Sequence, residues 1–290
     1  MGLMFRVEHA EFYYDRARTS GFHDTSFSIQ AGQVLSILGP NGCGKTTLLK
    51  CLSGIFRLSK GSIRLKGREI SRGDRGEIAR AIGYVPQAHQ PAFPFTVLDV
   101  VLVGRAPHLG FLESPKPRDI AIAEESLESL GISHLKHKPY TQISGGEKQL
   151  VIFARVMAQQ PSLLLLDEPT SHLDFGNQAR VLGLVEKLAA TGLPIIMTSH
   201  FPDHAFLVSN RVAIMKRGGI IAFGDPEEVM TDGNLSEIYG IDVKVVGVDC
   251  GFIRRICLPM TNGRDLFAKR GLAPGGKKEW TMNSRPSALG

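Results

Sequence analysis

The sequence predicts an α/β protein in which helices cover both faces of a mainly parallel sheet and the chemistry sits at the sheet's carboxyl edge. Three observations carry this. The apolar strand Val34-Leu35-Ser36-Ile37-Leu38 runs directly into Gly39-Pro40-Asn41-Gly42-Cys43-Gly44-Lys45-Thr46-Thr47, and a helical pattern (Thr47, Leu48, Leu49, Cys51, Leu52) leaves that loop. A second continuous apolar run, Leu163-Leu164-Leu165-Leu166, suits a strand buried on both faces and ends in Asp167-Glu168-Pro169. Past it the rhythm continues, with a helix over 177–190 and the strand Pro194-Ile195-Ile196-Met197-Thr198.

In chain order, Phe5-Arg6-Val7-Glu8, Phe12-Tyr13-Tyr14 and the period-two run Thr25-Ser26-Phe27-Ser28-Ile29 predict short strands before the central one. Gly61-Ser62-Ile63-Arg64-Leu65-Lys66-Gly67 alternates cleanly and reads as an exposed edge strand; Ile82-Gly83-Tyr84-Val85 is a short buried strand stopped by Pro86. From about 90 to 150 the character changes. Prolines 91, 94, 107, 115 and 117, the helical run Val97–Val103 and an amphipathic helix with Ile120, Ala123, Leu127 and Leu130 on one face predict a helical insertion. Strands at 211–215 and 219–223 flank Lys216-Arg217-Gly218 as a hairpin, and 243–248 forms one more strand. The Gly-, Lys-, Pro- and Ser-rich stretch beyond about 265 predicts a loosely ordered end.

Composition narrows the class. With 43% hydrophobic and 21% charged residues the chain is ordinary for a globular protein. It has no apolar run of about 18 residues or more, the length a membrane helix needs. Met1–Glu8 carries charge at once and lacks a signal peptide's apolar stretch. Cys43, Cys51, Cys250 and Cys257 show no paired C-x-x-C spacing, which argues against a zinc site and for a reducing compartment. Much of the net charge of +6 comes from the last forty residues, so it is a property of the tail.

The loop fits G-x-x-x-x-G-K-[ST]. Its glycines, Gly39, Gly42 and Gly44, let the backbone wrap a polyphosphate with N–H groups turned inward, and the following helix offers its positive end. Lys45 reaches β- and γ-phosphates and the Thr46 hydroxyl holds Mg²⁺. A Gly-rich turn alone gives no reason for the Lys-Thr pair. Asp167 at a strand end supplies a carboxylate for the Mg²⁺ shell, and Glu168 beside it suits the general base that polarises water. Two adjacent acids repel each other, and a cation resolves the repulsion.

Between these motifs stands Ile143-Ser144-Gly145-Gly146-Glu147, and the set resembles the ATP-binding-cassette (ABC) ATPases over about residues 5–248. The resemblance implies an ABC-ATPase form of the P-loop NTPase fold: a RecA-like parallel core, an N-terminal antiparallel β subdomain and a helical signature insertion. The cassette domain is expected over 4–248, with 249–290 as a C-terminal extension. By the same resemblance ATP is bound by Tyr14 (rather than Tyr13) stacking on adenine, by Gly39 through Thr47 (Pro40, Asn41 and Cys43 included), and by Ser144, Gly145, Gly146, Glu147 and Asp174 from a second copy. Mg²⁺ falls to Thr46, Gln87 and Asp167, and catalysis to Glu168, His200, Lys45 and Gln87. Ile143 in place of Leu and Glu147 in place of Gln depart from the usual signature without touching the expected phosphate contacts of Ser144 and Gly146.

The family's uses divide by architecture. No long heptad interrupts the two halves, as in DNA-repair types, and only one phosphate loop is present, where translation-type factors carry two. The compact insertion is similar to that of importers, and Pro91–Gly110 together with Leu173-Asp174-Phe175-Gly176-Asn177-Gln178 resembles the branch serving iron-siderophore, haem and vitamin B12 uptake. The resemblance implies a homodimer at the cytoplasmic face of the cell membrane, working on two permease subunits fed by a substrate-binding protein, with no nucleic-acid partner. A molybdate or tungstate importer of the same branch, an exporter cassette and a soluble nucleic-acid-linked ATPase are the alternatives.

Overall fold

Buried apolar strands lay down the central sheet, and the chain's glycine- and proline-marked turns order it. The computed structural model describes residues 3–260 other than 16, 18, 72, 88–93, 111, 250 and 252. In chain order, β1 (Leu3–Tyr13) and β2 (Gly21–Gln30) pair antiparallel, and β3 (Val34–Leu38) leads through the glycine loop into α1 (Lys45–Leu52). Then come β4 (Lys60–Leu65), β5 (Arg68–Glu69), α2 (Arg75–Ala81) and β6 (Ile82–Val85). The insertion supplies α3 (Val97–Leu102), α4 (Pro117–Ser129) and α5 (Gly145–Ala158). The second half runs β7 (Leu163–Asp167), α6 (Phe175–Ala190), β8 (Ile195–Ser199), α7 (Pro202–Val208), β9 (Arg211–Lys216) and β10 (Gly219–Gly224). It closes with α8 (Pro226–Val229), α9 (Asp232–Tyr239), β11 (Val243–Asp249) and β12 (Ile253–Pro259).

The six-stranded sheet has the order β10-β9-β3-β8-β7-β6, parallel except for β10. The continuous apolar runs follow from its two covered faces. Along β7, Leu164 and Leu166 enter a core shared with α5, α6 and the insertion helices, while Leu163 and Leu165 enter a core around α1. That second core also receives Phe5, Ile29 and Ile63 from the four-stranded sheet β2-β1-β4-β5. A third cluster, with Leu38, Ala205, Ile214, Leu235 and Ile238, joins the carboxyl end of β3 to the C-terminal elements.

Local chemistry sets the helix starts. Thr96 accepts the Asp99 N–H at 3.2 Å and gives its own N–H to the Asp99 carboxylate at 3.0 Å, a capping box for α3. Pro117 occupies the first turn of α4, where a missing N–H costs nothing. The buried guanidinium of Arg105 donates to Asp119 at 2.9 Å and to the Ala158 carbonyl at 2.7 Å, tying α4 to the end of α5. The Lys116 N–H and then Arg105 hold the Asp119 carboxyl below the usual carboxylate range.

The structure corrects three expectations. Residues 12–14 are not a separate strand; Phe12 and Tyr13 finish β1 after three register shifts against β2. β4 is not an edge, since β1 and the two-residue β5 flank it. On α4, Ala123 and Leu127 are buried and Leu130 packs against the same core as expected, but Ile120 is 38% exposed, while Asp119, paired with Arg105, is buried. β12 pairs with β11 as a hairpin, from Val243↔Pro259 to Asp249↔Ile253. Residues 91–93 and the tail beyond 265 lie outside the described residues.

The α4 correction is measurable. Leu127→Ala should cost about 2–5 kcal/mol in urea unfolding, whereas Ile120→Ala should stay within about 0.5 kcal/mol. Equal losses would restore the face expected from periodicity.

Candidate functional site

The carboxyl ends of β3, β7 and β8 converge on one cleft of about 930 Å³. Tyr14, Asn41, Gly42, Gly44, Lys45, Thr46, Thr47, Gln87, Glu168 and His200 line it, with Thr19, Ser20, Gly21, Ser171, His172, Phe201, Arg217 and Gly218. Gly39, Pro40 and Cys43 form the loop's back. A methyl group on Gly39 would fall 2.2 Å from the Met215 carbonyl oxygen, so only glycine lets the loop lie this close to β9. Gly44, at φ 107, opens α1 in a left-handed conformation. Cys43 is buried, which pushes its thiol pKa up and makes it a packing residue.

Lys45 is 5% exposed, and its Nζ donates to the carbonyls of Gly39 at 2.8 Å and Pro40 at 3.1 Å. Among the described residues no carboxylate pairs with it. A buried ammonium held only by carbonyls at a glycine loop fits an anionic ligand that supplies the missing charge.

Asp167 is the converse. It is 1% exposed; Oδ1 accepts from Thr46 Oγ1 at 3.1 Å and Thr198 Oγ1 at 2.8 Å, and Oδ2 accepts from the Tyr84 hydroxyl at 3.1 Å. Three hydroxyls orient this carboxylate and none neutralises it, so the Thr46–Asp167 pair fits a hard divalent cation such as Mg²⁺. Among the described residues no group of three or more His, Cys, Asp or Glu side chains could hold a metal. The remaining ligands would be oxygens of other kinds: the Gln87 side-chain oxygen from the cleft wall, phosphate oxygens and water. Burial, with the Asp167 charge beside it, pushes the Tyr84 phenol pKa far up, so it remains a donor.

Glu168 sits at φ 49, a left-handed backbone that is uncommon for a residue with a side chain. Thr198 Oγ1 accepts its N–H at 2.9 Å, and Ser171 holds its carbonyl at 2.8 Å. The side chain is thereby turned into the cleft, where Oε2 accepts from Gln87 Nε2 at 2.9 Å and lies 3.3 Å from His200 Nδ1. Tyr14, 56% exposed, stands edge-on to Phe12 and Phe56, and its hydroxyl lies 3.1 Å from Thr47 Oγ1. That leaves a fixed aromatic face at the cleft mouth.

Ser144 through Glu147 do not line this cleft. They start α5 as a capping box: Ser144 N–H donates to Glu147 Oε2 at 2.7 Å, and Ser144 Oγ accepts the Glu147 N–H at 3.3 Å. The Ser144 hydrogen bonds hold the Glu147 carboxyl below its usual range. This stabilisation is complete above the unfolded-state carboxylate pKa and disappears as pH falls through the lower folded value. Ser144 and Gly145 are exposed; Gly146 is buried where a methyl would meet the Asn177 amide at 2.5 Å. Asp174 caps α6 by accepting the Asn177 N–H at 2.8 Å and stays outside the cleft.

Sequence reasoning missed Thr198, Tyr84 and His204. Thr198 and Tyr84 stood inside strands already identified, and only strand order puts their hydroxyls on Asp167. His204 is buried with its Nδ1 3.1 Å from Thr170 Oγ1, and burial pushes its pKa down; nothing in its sequence setting marked it.

A family model described as ABC transporter matches residues 22–171. An uncharacterized ABC transporter ATP-binding protein of Haemophilus influenzae is 41% identical over 213 residues, 73% of this chain and 81% of that protein. The molybdate import ATP-binding protein MolC of Haemophilus influenzae is 35% identical, covering 82% of this chain and 89% of its own length. The hemin import ATP-binding protein HmuV of Plesiomonas shigelloides is 36% identical, covering 79% and 93%. Among solved structures, an inward-facing ABC transporter ascribed to the metal-chelate type aligns with TM-score 0.81 and 32% identity over 91% of this chain and 100% of its own.

Thr198→Val keeps the shape but removes both the donor to Asp167 and the acceptor for Glu168 N–H. It should cost about 1–3 kcal/mol in urea unfolding, and Thr198→Ser should recover all but about 1 kcal/mol.

Proposed function

The chain belongs to the ABC transporter family as an ATP-binding subunit, and from that premise we propose that it is an Mg²⁺-dependent ATPase that energises import of a metal chelate through a separate permease. The observation that carries the ATPase reading is a pair of unneutralised buried charges around the glycine loop: the Lys45 ammonium in the cleft wall and the Asp167 carboxylate behind it, hydrogen-bonded to the cleft residue Thr46.

ATP with Mg²⁺, when bound, supplies the γ-phosphoryl group and the counter-charge for Asp167. The protein's residues do the rest. Lys45 and the loop N–H groups of Gly42 to Thr46 hold the phosphates, and Thr46 and Asp167 hold the cation. Tyr14 offers its face to the base. Glu168 takes the proton of the attacking water as general base, and Gln87 and His200 hold its carboxylate and the γ-phosphate end.

Exposed Ser144 and Gly145 lie away from the chain's own cleft, which supports a site completed by the second copy of a homodimer, each signature facing the other's nucleotide. Among the described residues no helix is long and apolar enough to cross a membrane, so membrane passage falls to permease subunits. We place the dimer against them at the cytoplasmic face of the membrane, with a substrate-binding protein delivering cargo from the other side.

The names of the relatives favour import. Hemin import is said of HmuV and the metal-chelate type of the solved transporter, while molybdate import is said of MolC and stands as the second cargo reading. An uptake assay with this ATPase, its permease and binding protein in proteoliposomes separates them. ATP-dependent uptake of haem or an iron chelate, unaffected by excess molybdate, is expected; molybdate uptake alone would move the cargo to the oxyanion.

Glu168→Gln should keep ATP affinity, trap a closed dimer in size-exclusion chromatography and lower turnover by about 10²-fold or more. Turnover near wild type would refute the general-base role. Lys45→Ala should weaken ATP binding itself, measured by calorimetry.

A further inference from the structure

We propose that Tyr239, in the C-terminal part of the chain beyond the segment matched by the family model, is a positioning residue for His200. The proposal rests on the reading of His200 as the group at the γ-phosphate end.

His200 follows the last paired residue of β8, Ser199, so no sheet ladder fixes its backbone. Its side chain is partly exposed and touches Glu168 on one side and the Phe201 ring, at 4.0 Å between centroids, on the other. The direction of the imidazole therefore depends on the peptide plane joining His200 to Phe201. Both ends of that plane are held. The Phe201 N–H donates to Ser199 Oγ at 2.9 Å, and the Tyr239 hydroxyl donates to the His200 carbonyl at 3.1 Å.

The phenol is well placed to act as a strut. Tyr239 is the last residue of α9, which Gly240 ends in a left-handed conformation, and its ring packs against the third core cluster. Burial, followed by the neighbouring Cys257 and Asp203, pushes its pKa far up, so the hydroxyl keeps its proton. A second tie runs in parallel: Asp203, in the first turn of α7, accepts the backbone N–H of Cys257 in β12 at 2.7 Å. A third runs the other way, from His204 to Thr170 in the loop after Glu168. The α9–β12 unit thus braces the segment 200–204 from behind, while the cleft lies in front.

A residue that only aims a transition-state contact should change kcat and leave substrate affinity alone. The test is steady-state Mg-ATP hydrolysis by the full chain carrying Tyr239→Phe, His200→Ala or both, with urea unfolding of each. Tyr239→Phe should lower kcat about tenfold with KM within about twofold and the urea midpoint near wild type. In the His200→Ala background the same change should have no further effect, because Tyr239 acts through that side chain. Asp203→Ala, which cuts the second tie and leaves the phenol in place, should also lower kcat at unchanged KM. Wild-type turnover by Tyr239→Phe, or an equal loss on top of His200→Ala, overturns the proposal, as does loss of turnover that only tracks loss of stability across the set. Wild-type turnover by His200→Ala would instead sink the reading of His200 itself.

Discussion

Everything in the cleft is arranged around one buried carboxylate. Asp167 is gripped by hydroxyls from three separate elements: Thr46 of α1, Thr198 of β8 and Tyr84 of β6. A carboxylate this deep is costly unless its oxygens are hydrogen-bonded, so the three donors cannot be spared individually. They also fix geometry. Through Thr46 the carboxylate sets the glycine loop's position relative to β7, although β8 lies between β3 and β7 in the sheet. Through Thr198, which accepts the next N–H, it sets the turn that carries Glu168. One polar centre therefore couples the glycine loop to the turn that carries Glu168.

That coupling explains why Glu168 tolerates a left-handed backbone. At φ 49 the residue stores strain of about 1–3 kcal/mol, which persists only where the surroundings over-determine it. Here the N–H is tied to Thr198, the carbonyl to Ser171, and the side chain to Gln87 and His200. The gain is direction: an extended strand would alternate Glu168 to the face opposite Asp167, whereas the left-handed turn brings its carboxylate into the cleft. Gln87, which precedes the helical insertion in the chain, thereby contacts Glu168 directly.

Much of this was legible in the sequence, for reasons specific to each element. Short apolar runs such as 34–38 and 163–166, bounded by turn and motif residues, suit strands covered on two faces, and the Gly-Lys-Thr loop has a spacing that few other demands produce. What escaped depends on contacts between distant parts of the chain. The alternation of β4 is the same whether the strand is an edge or has neighbours on both sides, so only pairing tells them apart. On α4 the apolar stripe held at Ala123, Leu127 and Leu130 but not at Ile120, because periodicity assumes that charged residues face water and the Arg105–Asp119 pair reverses that. Thr198 and Tyr84 looked like ordinary strand residues; their meaning comes from the strand order that stacks β6, β7 and β8 side by side.

The C-terminal elements carried no motif at all. A hairpin crossing residue 248 and a short helix would read as an appendage, yet their buried side chains share a cluster with Leu38, the last residue before the glycine loop. Packing there constrains β3 and α7 at once, and each of these leads into the cleft from a different side. An element that lends no side chain to the ligand can still decide how rigidly the ligand's neighbours are held, because the peptide planes at strand ends have no ladder to fix them. In this chain the end of β8 is such a place, and the groups that satisfy it come from residues whose sequence gives no sign of chemistry.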